Sequence, residues 1–508
     1  MGDDVSMLTE MAETERKYEA ARGAVLPELG DLPGVAAESG PDEQHLVAEY
    51  FDTPDLRLIR SGITLRRRRG GDDAGWHLKL PAGGDTRIEI RAPLGRAARR
   101  VPAELAALVR ACARGEELQP VARIETARLR RRLLDESGSS LAEVVADAVA
   151  AQALGDATAL SSWHEVEVEL TGGDSRLLRA ADQRLREAGF RPAGHQAKLE
   201  RALADRLPPA GRSPALTAES PAADVVLAYV AAQLTALTTL DPMVRRGVPD
   251  SVHRMRVATR RLRSTLKSFG MVLRRDQAGQ AVAELKWLGE VLGAARDAEV
   301  LAARLETAVA ELPPELVIGP VQAIIRGHMA PIEAAAGTEV LAALDSGRYL
   351  ELLRQLDMLL AEPPLGPQAD QPGGIVLPKA VRRTRRRLHR RMRRAWAAPA
   401  GADRDIALHE ARKAAKDARY AAEAASPVLA RKTARRLISS ARDVQSVLGD
   451  HHDAVVARGV LRDLGVQAHL AGENSFTFGI LHERERVRAM ALEEPAGRAW
   501  HRVGRHGG

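Results

Sequence analysis

The segment Trp163-His164-Glu165-Val166-Glu167-Val168-Glu169-Leu170 alternates charged and apolar side chains and decides the fold of the first part of the chain. In an extended strand, successive side chains point to opposite faces, so the glutamates share one face and the valines share the other. Glu13-Thr14-Glu15-Arg16-Lys17 repeats the pattern near the start. Short alternating segments bounded by Gly, Pro and Asp predict antiparallel β-structure up to about residue 200.

The pattern changes after a Pro-, Ala- and Ser-rich segment at residues 207–221, whose composition is typical of an exposed linker. Beyond it, apolar side chains recur every three or four residues, which predicts helices throughout. We therefore predict an α+β protein with a β-rich domain at 1–206, which also carries helix-like runs near 103–113 and 174–189, and an all-α domain at 222–508.

The helical part contains one unit twice. The two copies align without a gap, His253 with His409, Arg256 with Arg412, Arg260 with Lys416, and Leu292-Gly293 with Leu448-Gly449. A constant offset over this many positions predicts two related helical bundles, at about 222–362 and 375–508.

Composition excludes several classes of protein. The chain has one cysteine, Cys112, so it has neither a disulfide framework nor a cysteine-based zinc cluster. Its first residues are polar, without a basic segment followed by an apolar one, and no apolar run approaches the roughly 20 residues of a membrane span. We expect a cytoplasmic protein with no membrane partner. The sequence gives no oligomeric state.

The charged strand faces of the first domain carry both signs. Rows of carboxylates suit a hard divalent cation such as Mg²⁺ or Mn²⁺, and arginine and lysine neutralise phosphates. Triphosphate chemistry uses both kinds of group at once. A solvent-facing antiparallel sheet also carries charges of both signs, so periodicity alone leaves that interpretation open.

The order of the motifs resembles the CYTH, or triphosphate tunnel metalloenzyme, superfamily over residues 8–205. The matching motifs are Glu13-Thr14-Glu15-Arg16-Lys17, Tyr50-Phe51-Asp52-Thr53, Leu65-Arg66-Arg67-Arg68, Lys79-Leu80-Pro81, Arg87-Ile88-Glu89, Arg128, Glu165-Val166-Glu167-Val168-Glu169 and Lys198. The resemblance implies a closed antiparallel β-barrel, a tunnel with flanking helices whose inward faces carry these charges.

The resemblance also implies roles for these residues. It assigns the metal to Glu13, Glu15, Asp147, Glu165 and Glu167, although family members often have a pair of acids where this chain has Ala146-Asp147. It assigns catalysis to Glu13, Glu15, Lys17, Glu165 and Glu167. It assigns the phosphate path to Lys17, Arg66, Arg68, Lys79, Arg87, Arg128 and Lys198. The implied reaction is hydrolysis of the terminal phosphoryl group by a metal-activated water.

Basic stripes dominate the helical domain. No acidic residue occurs between Ser251 and Arg275 or between Lys379 and Arg394. A single basic stripe is usually a solvated helix face, but several uncompensated stripes repel one another unless a polyanion neutralises them. The histidine-led motifs Val252-His253-Arg254-Met255-Arg256 and Leu408-His409-Glu410-Ala411-Arg412 resemble the CHAD family over about residues 220–505.

The CHAD resemblance implies binding of inorganic polyphosphate. The residues implied are His253, Arg256, Arg260, Arg263, Lys379, Arg382, Arg386, His409, Arg412, Lys413, Lys416 and Arg419. We expect metal-dependent hydrolysis of inorganic triphosphate or a related triphosphate, because a chain with 3% aromatic residues offers few stacking surfaces for a base. Adenylate cyclase or thiamine triphosphatase activity stays open, as does a non-catalytic role at polyphosphate granules. We do not expect nucleic acid as a partner.

Overall fold

The computed structural model describes residues 8–95, 100–155, 158–195, 197–208 and 215–504. The Cα positions divide the chain into two compact units, Met1–Arg212 and Ser213–Gly508. The division falls within the predicted linker, of which residues 209–214 lie outside the described residues. The predicted domain boundaries stay predictions, and their outer ends, 1–7 and 505–508, also lie outside the described residues.

Ten strands form the sheet of the first unit. They are β1 (Thr9–Ala20), β2 (Ala37–Glu38), β3 (Asp42–Asp52), β4 (Thr64–Arg69), β5 (Gly75–Gly83), β6 (Thr86–Ala92), β7 (Gln119–Leu134), β8 (Ser140–Ala153), β9 (Ala159–Leu170) and β10 (Arg191–Pro192). Eight of them pair antiparallel in the order β1-β6-β5-β4-β3-β7-β8-β9, and β9 pairs again with β1. The sheet is thus a closed barrel, which confirms the predicted fold.

Helices flank the barrel. Those of the first unit are α1 (Arg57–Arg60), α2 (Ala103–Val109), α3 (Ser175–Glu187) and α4 (Lys198–Ala202), followed by a 3₁₀ turn at Ala204–Arg206. The valines of the segment quoted first, Val166 and Val168, point outward and pack with Leu177 and Leu178 of α3. Burying such side chains contributes about 1.5–3 kcal/mol each. Outward packing therefore fixes the glutamates between them on the inner face.

One end of the barrel interior is apolar. Leu199 and Leu203, on and just after α4, pack against the inward-facing Ile124, Val149 and Trp163. Each of these two leucines is 1% exposed. Helix α4 therefore closes this end of the barrel, and the charged part of the interior is a cavity with its opening at the other end.

Asp52, at the end of β3, is fully buried and holds the start of α1. Its Oδ1 accepts hydrogen bonds from the backbone N–H groups of Thr53 at 2.7 Å and Leu58 at 2.8 Å, and its Oδ2 accepts one from Ile59 at 3.0 Å. We expect Asp52→Ala to lower the free energy of unfolding by about 2–4 kcal/mol, because it leaves buried N–H groups without acceptors.

Urea unfolding of the full chain measures this effect. Asp85→Ala is the control, since the Asp85 carboxylate forms only an exposed ion pair with Arg16 at 3.2 Å. Exposed pairs of this kind contribute about 0–1 kcal/mol. Equal destabilisation by both substitutions would contradict the structural role of Asp52.

Nine helices form the second unit within the described residues. They are α5 (Ala222–Arg245), α6 (Ser251–Ser268), α7 (Gly279–Ala310), α8 (Val321–Asp345), α9 (Gly347–Ala361), α10 (Gly373–Ala397), α11 (Ala402–Ala424), α12 (Arg431–Leu470) and α13 (Phe476–Gly504), with 3₁₀ turns at Pro314–Leu316 and Ser426–Val428. Helices α5–α8 recur as α10–α13, with α9 between the copies. The predicted duplicated helical bundles are confirmed.

The two copies share a core. Leu305 of α7 and Ile325 of α8 pack with Leu461 of α12 and Leu481 of α13. Helices α6 and α11, which carry the histidine motifs, also contact each other directly. The copies therefore form one bundle in which the two basic stripes are brought together.

Helix α5 corrects one expectation. Among the described residues it is the helix long and apolar enough to cross a membrane by length and composition, with a mean hydropathy of 1.5 and 39% of the apolar window buried. Val226, Val230, Leu234 and Leu237 are buried in the bundle. The core helix of a globular protein passes the same test of length and composition. The expectation that no apolar run approaches the length of a membrane span is therefore wrong for α5.

Candidate functional site

The barrel interior holds a cavity of about 330 Å³ with a charged lining. Its lining includes these predicted residues: Glu13, Glu15, Lys17, Arg66, Arg68, Lys79, Arg87, Arg128, Glu167 and Lys198. The two remaining predicted residues, Asp147 and Glu165, contact the lining residue Lys198. The structure thus gathers in one place side chains that are up to about 185 positions apart in the chain.

The first acidic group consists of Glu13, Glu15 and Glu169. Their carboxylate oxygens lie within 4.8 Å of one another, and Glu15 is the cross-strand neighbour of Glu169. Burial and the charge of Glu13 raise the pKa of Glu169 to about 8. Three convergent carboxylates are the donor set that Mg²⁺ or Mn²⁺ prefers, so this group fits a divalent cation. Glu169 was not among the predicted ligands, although it shares a strand face with Glu165 and Glu167.

The second acidic group consists of Asp147, Glu165 and Glu167, again within 4.8 Å of one another. The Nζ atom of Lys198 lies 2.9, 2.6 and 2.8 Å from their carboxylates. Arg128 donates to both oxygens of Asp147, at 2.8 and 2.7 Å. Although burial opposes its charge, these carboxylates raise the pKa of Lys198 well above its usual value. The protein's own cations neutralise this group, and its predicted role as metal ligand stays a prediction.

Glu89 of β6 lies among basic side chains of β4, β5 and β6. It is 1% exposed, its Oε1 lies 2.9 Å from Nδ1 of His77, and it forms an ion pair with Arg91 at 2.5 Å. The cations of Arg66 and Lys79 lie 3.8 and 3.9 Å away. Burial, aided by the charge of Arg66, lowers the pKa of His77 to about 3, so the ring is neutral. Glu89 therefore positions the cations around it.

Positive charge accumulates beside Glu89. Burial and the charges of Arg66 and Arg128 lower the pKa of Arg68 to about 8, even though Arg68 contacts Asp73. The hydroxyl of Tyr50 lies 3.5 Å from Arg66 and also lines the cavity. Guanidinium groups that repel one another in a buried place favour an anion between them.

The helical unit holds a second charged cavity, of about 500 Å³, between α6 and α11. The predicted residues that line it are Arg256, Arg260, Arg263, His409, Arg412, Lys413 and Lys416. Four basic side chains that were not among the predicted residues also line it: Lys267, Lys286, Arg387 and His452. Both histidine-led stripes thus face the same space.

The two stripes are held in matching ways. Arg256 pairs with Asp297 at 2.9 Å, and its counterpart Arg412 pairs with Asp453 at 3.8 Å. Beside each arginine lies a glycine of the repeat, Gly293 or Gly449, where an added methyl group would lie 3.4 or 3.5 Å from the guanidinium. The Leu-Gly and Asp positions shared by the copies therefore orient one arginine each.

Three basic side chains of the cavity are not neutralised by a carboxylate. Within the described residues, Arg260, Arg263 and Lys416 form no ion pair, and Nε of Arg263 is buried without a hydrogen-bond partner. Burial, followed by the charges of Arg260 and Arg412, lowers the pKa of Lys416 to about 6. These uncompensated cations are the electrostatic feature expected of a polyanion site.

Five predicted residues lie outside this cavity. Lys379, Arg382 and Arg386 are exposed on α10, which turns Arg387 toward the cavity instead. Arg419 pairs with Glu423 at 2.7 Å. The fifth, His253, is half-buried, whereas its counterpart His409 stacks on His452 with ring centroids 4.1 Å apart. A role of these five residues in binding stays a prediction.

A closed antiparallel barrel with an inward charged lining, joined to a duplicated helical bundle, defines a CYTH domain and a CHAD domain. The CYTH domain model matches residues 11–194, and the CHAD domain model matches residues 228–462. An uncharacterized protein of Mycobacterium tuberculosis, Rv2226, is 39% identical over 497 residues, covering 93% of this chain and 92% of that protein. The chain belongs to the family of proteins that combine a CYTH domain with a CHAD domain.

Two solved structures resemble parts of the chain. The CHAD domain from the plant Ricinus communis covers 58% of this chain and 96% of its own, with 26% identity and a TM-score of 0.46. HpAC1 from Hippeastrum, described as an adenylyl cyclase candidate with a dominant triphosphatase activity, covers 40% of this chain and 98% of its own, with 15% identity and a TM-score of 0.24. With TM-scores below 0.5, these likenesses carry no functional conclusion.

Proposed function

We propose that the barrel hydrolyses inorganic triphosphate with a divalent cation and that the helical unit binds inorganic polyphosphate. CYTH family members are triphosphatases or cyclases, which supports a triphosphate compound as the substrate. The observation that carries the proposal is one enclosed cavity in which Glu13, Glu15 and Glu169 face Arg66, Arg68 and Lys79. A pure anion binder gains nothing from buried carboxylates beside the anion.

Each side of the cavity has its own task in this proposal. Glu13, Glu15 and Glu169 would hold the cation. The chemistry that a divalent cation supplies when bound is neutralisation of phosphate charge and acidification of water. Arg66, Arg68 and Arg87, with Lys17 and Lys79, bind phosphate oxygens and stabilise the charge that develops on the leaving diphosphate. Arg128 and Lys198 hold the second acidic group, and their place in the phosphate path stays a prediction.

The shape of the cavity favours a short inorganic substrate. Helix α4 closes one end, so only the end of a phosphate chain fits against the cations. Tyr50 is the one aromatic side chain in the described lining, and its hydroxyl lies 3.5 Å from the guanidinium of Arg66. A stacking surface for a nucleobase or thiazole needs more aromatic area than this.

A substrate panel tests the barrel. Inorganic triphosphate, thiamine triphosphate, ATP and long-chain polyphosphate are incubated with the full chain and Mg²⁺ or Mn²⁺, and released phosphate and cyclic nucleotide are measured. We expect the fastest release from inorganic triphosphate and no release in excess chelator. Cyclic AMP as the main product would favour a cyclase, and no turnover under any condition would favour a binding protein.

We expect polyphosphate binding by the helical unit to weaken as the pH rises above about 6. In the protein without ligand Lys416 has a pKa of about 6, because burial and the charges of Arg260, Arg412 and Arg256 outweigh the opposite charge of Asp297. A bound polyanion favours the charged ammonium, so binding takes up a proton once Lys416 is neutral. Affinity should fall by up to about ten-fold per pH unit.

Calorimetry at several pH values, in buffers with different ionisation enthalpies, measures both the affinity and the proton uptake. His409 and His452 are neutral in the free protein in this window, since burial and the neighbouring basic groups lower the pKa of each to about 4. In Lys416→Met the proton uptake above pH 6 should disappear. Unchanged proton uptake in this variant would rule out Lys416 as the titrating group.

A further inference from the structure

The helical unit holds two adjoining basic cavities. The cavity between α6 and α11 is called the first cavity here, and the other, of about 460 Å³, is called the second cavity. The two cavities share Lys267, Arg387 and Asp417 in their linings. The additional basic side chains of the second cavity are Arg275, Arg383 and Arg390. Five cations thus face one carboxylate along a surface that continues directly from the first cavity.

Arg275 and Arg383 of the second cavity are positioned without being neutralised. Arg383 donates a hydrogen bond to the carbonyl of Ser268 at 2.6 Å, and Arg275 donates one to the carbonyl of Lys267 at 2.9 Å. Both carbonyls lie at the end of α6. Among the described residues, Arg387 is the cation of this cavity with an ion pair, at 3.5 Å from Asp417. Neutral acceptors fix the guanidinium groups and leave their charge available.

The first turn of α7 adds to the positive potential. Ala278, Gly279 and Val282 line the cavity, no side chain caps the helix, and its first turn has no acidic residue. The free N–H groups and the dipole of a helix start favour an anion. Here they act together with the arginines.

We infer that the second cavity is a continuation subsite for a linear polyphosphate chain whose other part lies between α6 and α11. Arg383, Arg387 and Arg390 lie on one face of α10 and span roughly 10 Å along its axis. This row suits a chain with a charge on every unit. Described lining residues of the subsite include no aromatic side chain, which disfavours stacking of nucleobases. The inference rests on the proposed polyphosphate binding.

The consequence is a dependence on chain length. A chain long enough to occupy both cavities gains the second set of contacts at a high effective concentration, whereas triphosphate occupies one cavity at a time. Affinity should therefore rise with chain length and then level off once both cavities are filled.

The test compares two double variants of the full chain. Arg383→Gln with Arg390→Gln removes two charges from the subsite, and Arg393→Gln with Arg394→Gln removes two exposed charges of the same helix outside both cavities. Binding of triphosphate, a short polyphosphate and a long polyphosphate is measured by calorimetry in excess chelator, which prevents turnover. Circular dichroism checks that each variant is folded.

We expect the subsite variant to bind long chains about ten-fold more weakly, with unchanged affinity for triphosphate, and the control variant to resemble the wild type. Equal weakening in both variants, or none in the subsite variant, would overturn the subsite.

Other outcomes separate the subsite from the proposed function. If Arg260→Gln weakens the binding of chains of every length while the subsite variant binds normally, the proposed function stands and the subsite fails. If the wild type binds no polyphosphate, both fail. A single-stranded oligonucleotide that binds equally well through Arg390 would show the wrong ligand class.

Discussion

Replacing Glu13 and Glu15 together by glutamine is expected to lower phosphate release from inorganic triphosphate by about 10³-fold or more. The two carboxylates lie on the inner face of β1 and form an acidic group with Glu169. Lys79 pairs with Glu13 and Lys17 with Glu15, while Glu169 forms no ion pair among the described residues. A cation on phosphate oxygens supplies several kcal/mol of charge stabilisation, and each 1.4 kcal/mol corresponds to about ten-fold in rate.

Metal binding provides the second measurement for this prediction. Calorimetric titration with Mn²⁺ should detect binding to the wild type and none to Glu13→Gln/Glu15→Gln. Glu19→Gln is the matched control, because Glu19 lies on the same strand but is exposed. A double variant that keeps Mn²⁺ binding and turnover would show that the cation lies elsewhere, with the second acidic group as the first place to examine.

Replacing Arg260 and Arg263 by glutamine is expected to weaken polyphosphate binding by about 100-fold and to raise the unfolding temperature of the free protein. Hydrogen bonds to charged groups contribute about 1.5–3 kcal/mol each, so the loss of two such donors accounts for the affinity. Arg260 also repels Arg256, Arg412 and Lys416 when no anion is present. Each kcal/mol of repulsion that is removed raises the unfolding temperature by about 2–4 °C.

The opposite signs of these two effects distinguish a binding site from a structural cluster. Thermal unfolding is followed with and without polyphosphate, and Arg254→Gln serves as the control because Arg254 is exposed on the same helix. A double variant with lower thermal stability would indicate that the two arginines support the fold, and the polyanion site would then need other residues.

The fold followed from the sequence where the patterns were strong. Strand alternation at Glu13–Lys17 and Trp163–Leu170 predicted antiparallel β-structure, and the family resemblance implied its closure into a barrel. The repeated histidine motifs predicted the duplicated bundle. Strands β3, β7 and β8 were not individually predicted. Strand β8 is rich in alanine and valine on both faces, and its outward face is buried at Ala142 and Val144 but exposed at Ala148 and Ala150. This composition weakens any period-two signal.

The contacts among the site residues were harder to predict from the sequence than the fold was. The resemblance assigned Asp147, Glu165 and Glu167 to the metal, and this assignment stays a prediction. In the structure all three carboxylates contact Lys198, whose position depends on how α4 enters the barrel. On α10 the basic positions surround the buried stripe on both sides, so helical periodicity did not decide whether Arg386 or Arg387 faces α6. The position of Lys198 and the orientation of Arg387 both depend on packing between segments that are distant in the sequence.

Helix α4 closes one end of the barrel, so the substrate and products of the proposed hydrolysis share one opening. Because the barrel has one opening, the diphosphate product must leave by the route that the next triphosphate uses. Diphosphate should therefore inhibit the proposed hydrolysis in competition with triphosphate. A polymer cannot be threaded through such a chamber. Any attack on long chains by the barrel would therefore be distributive, releasing the chain after each cut.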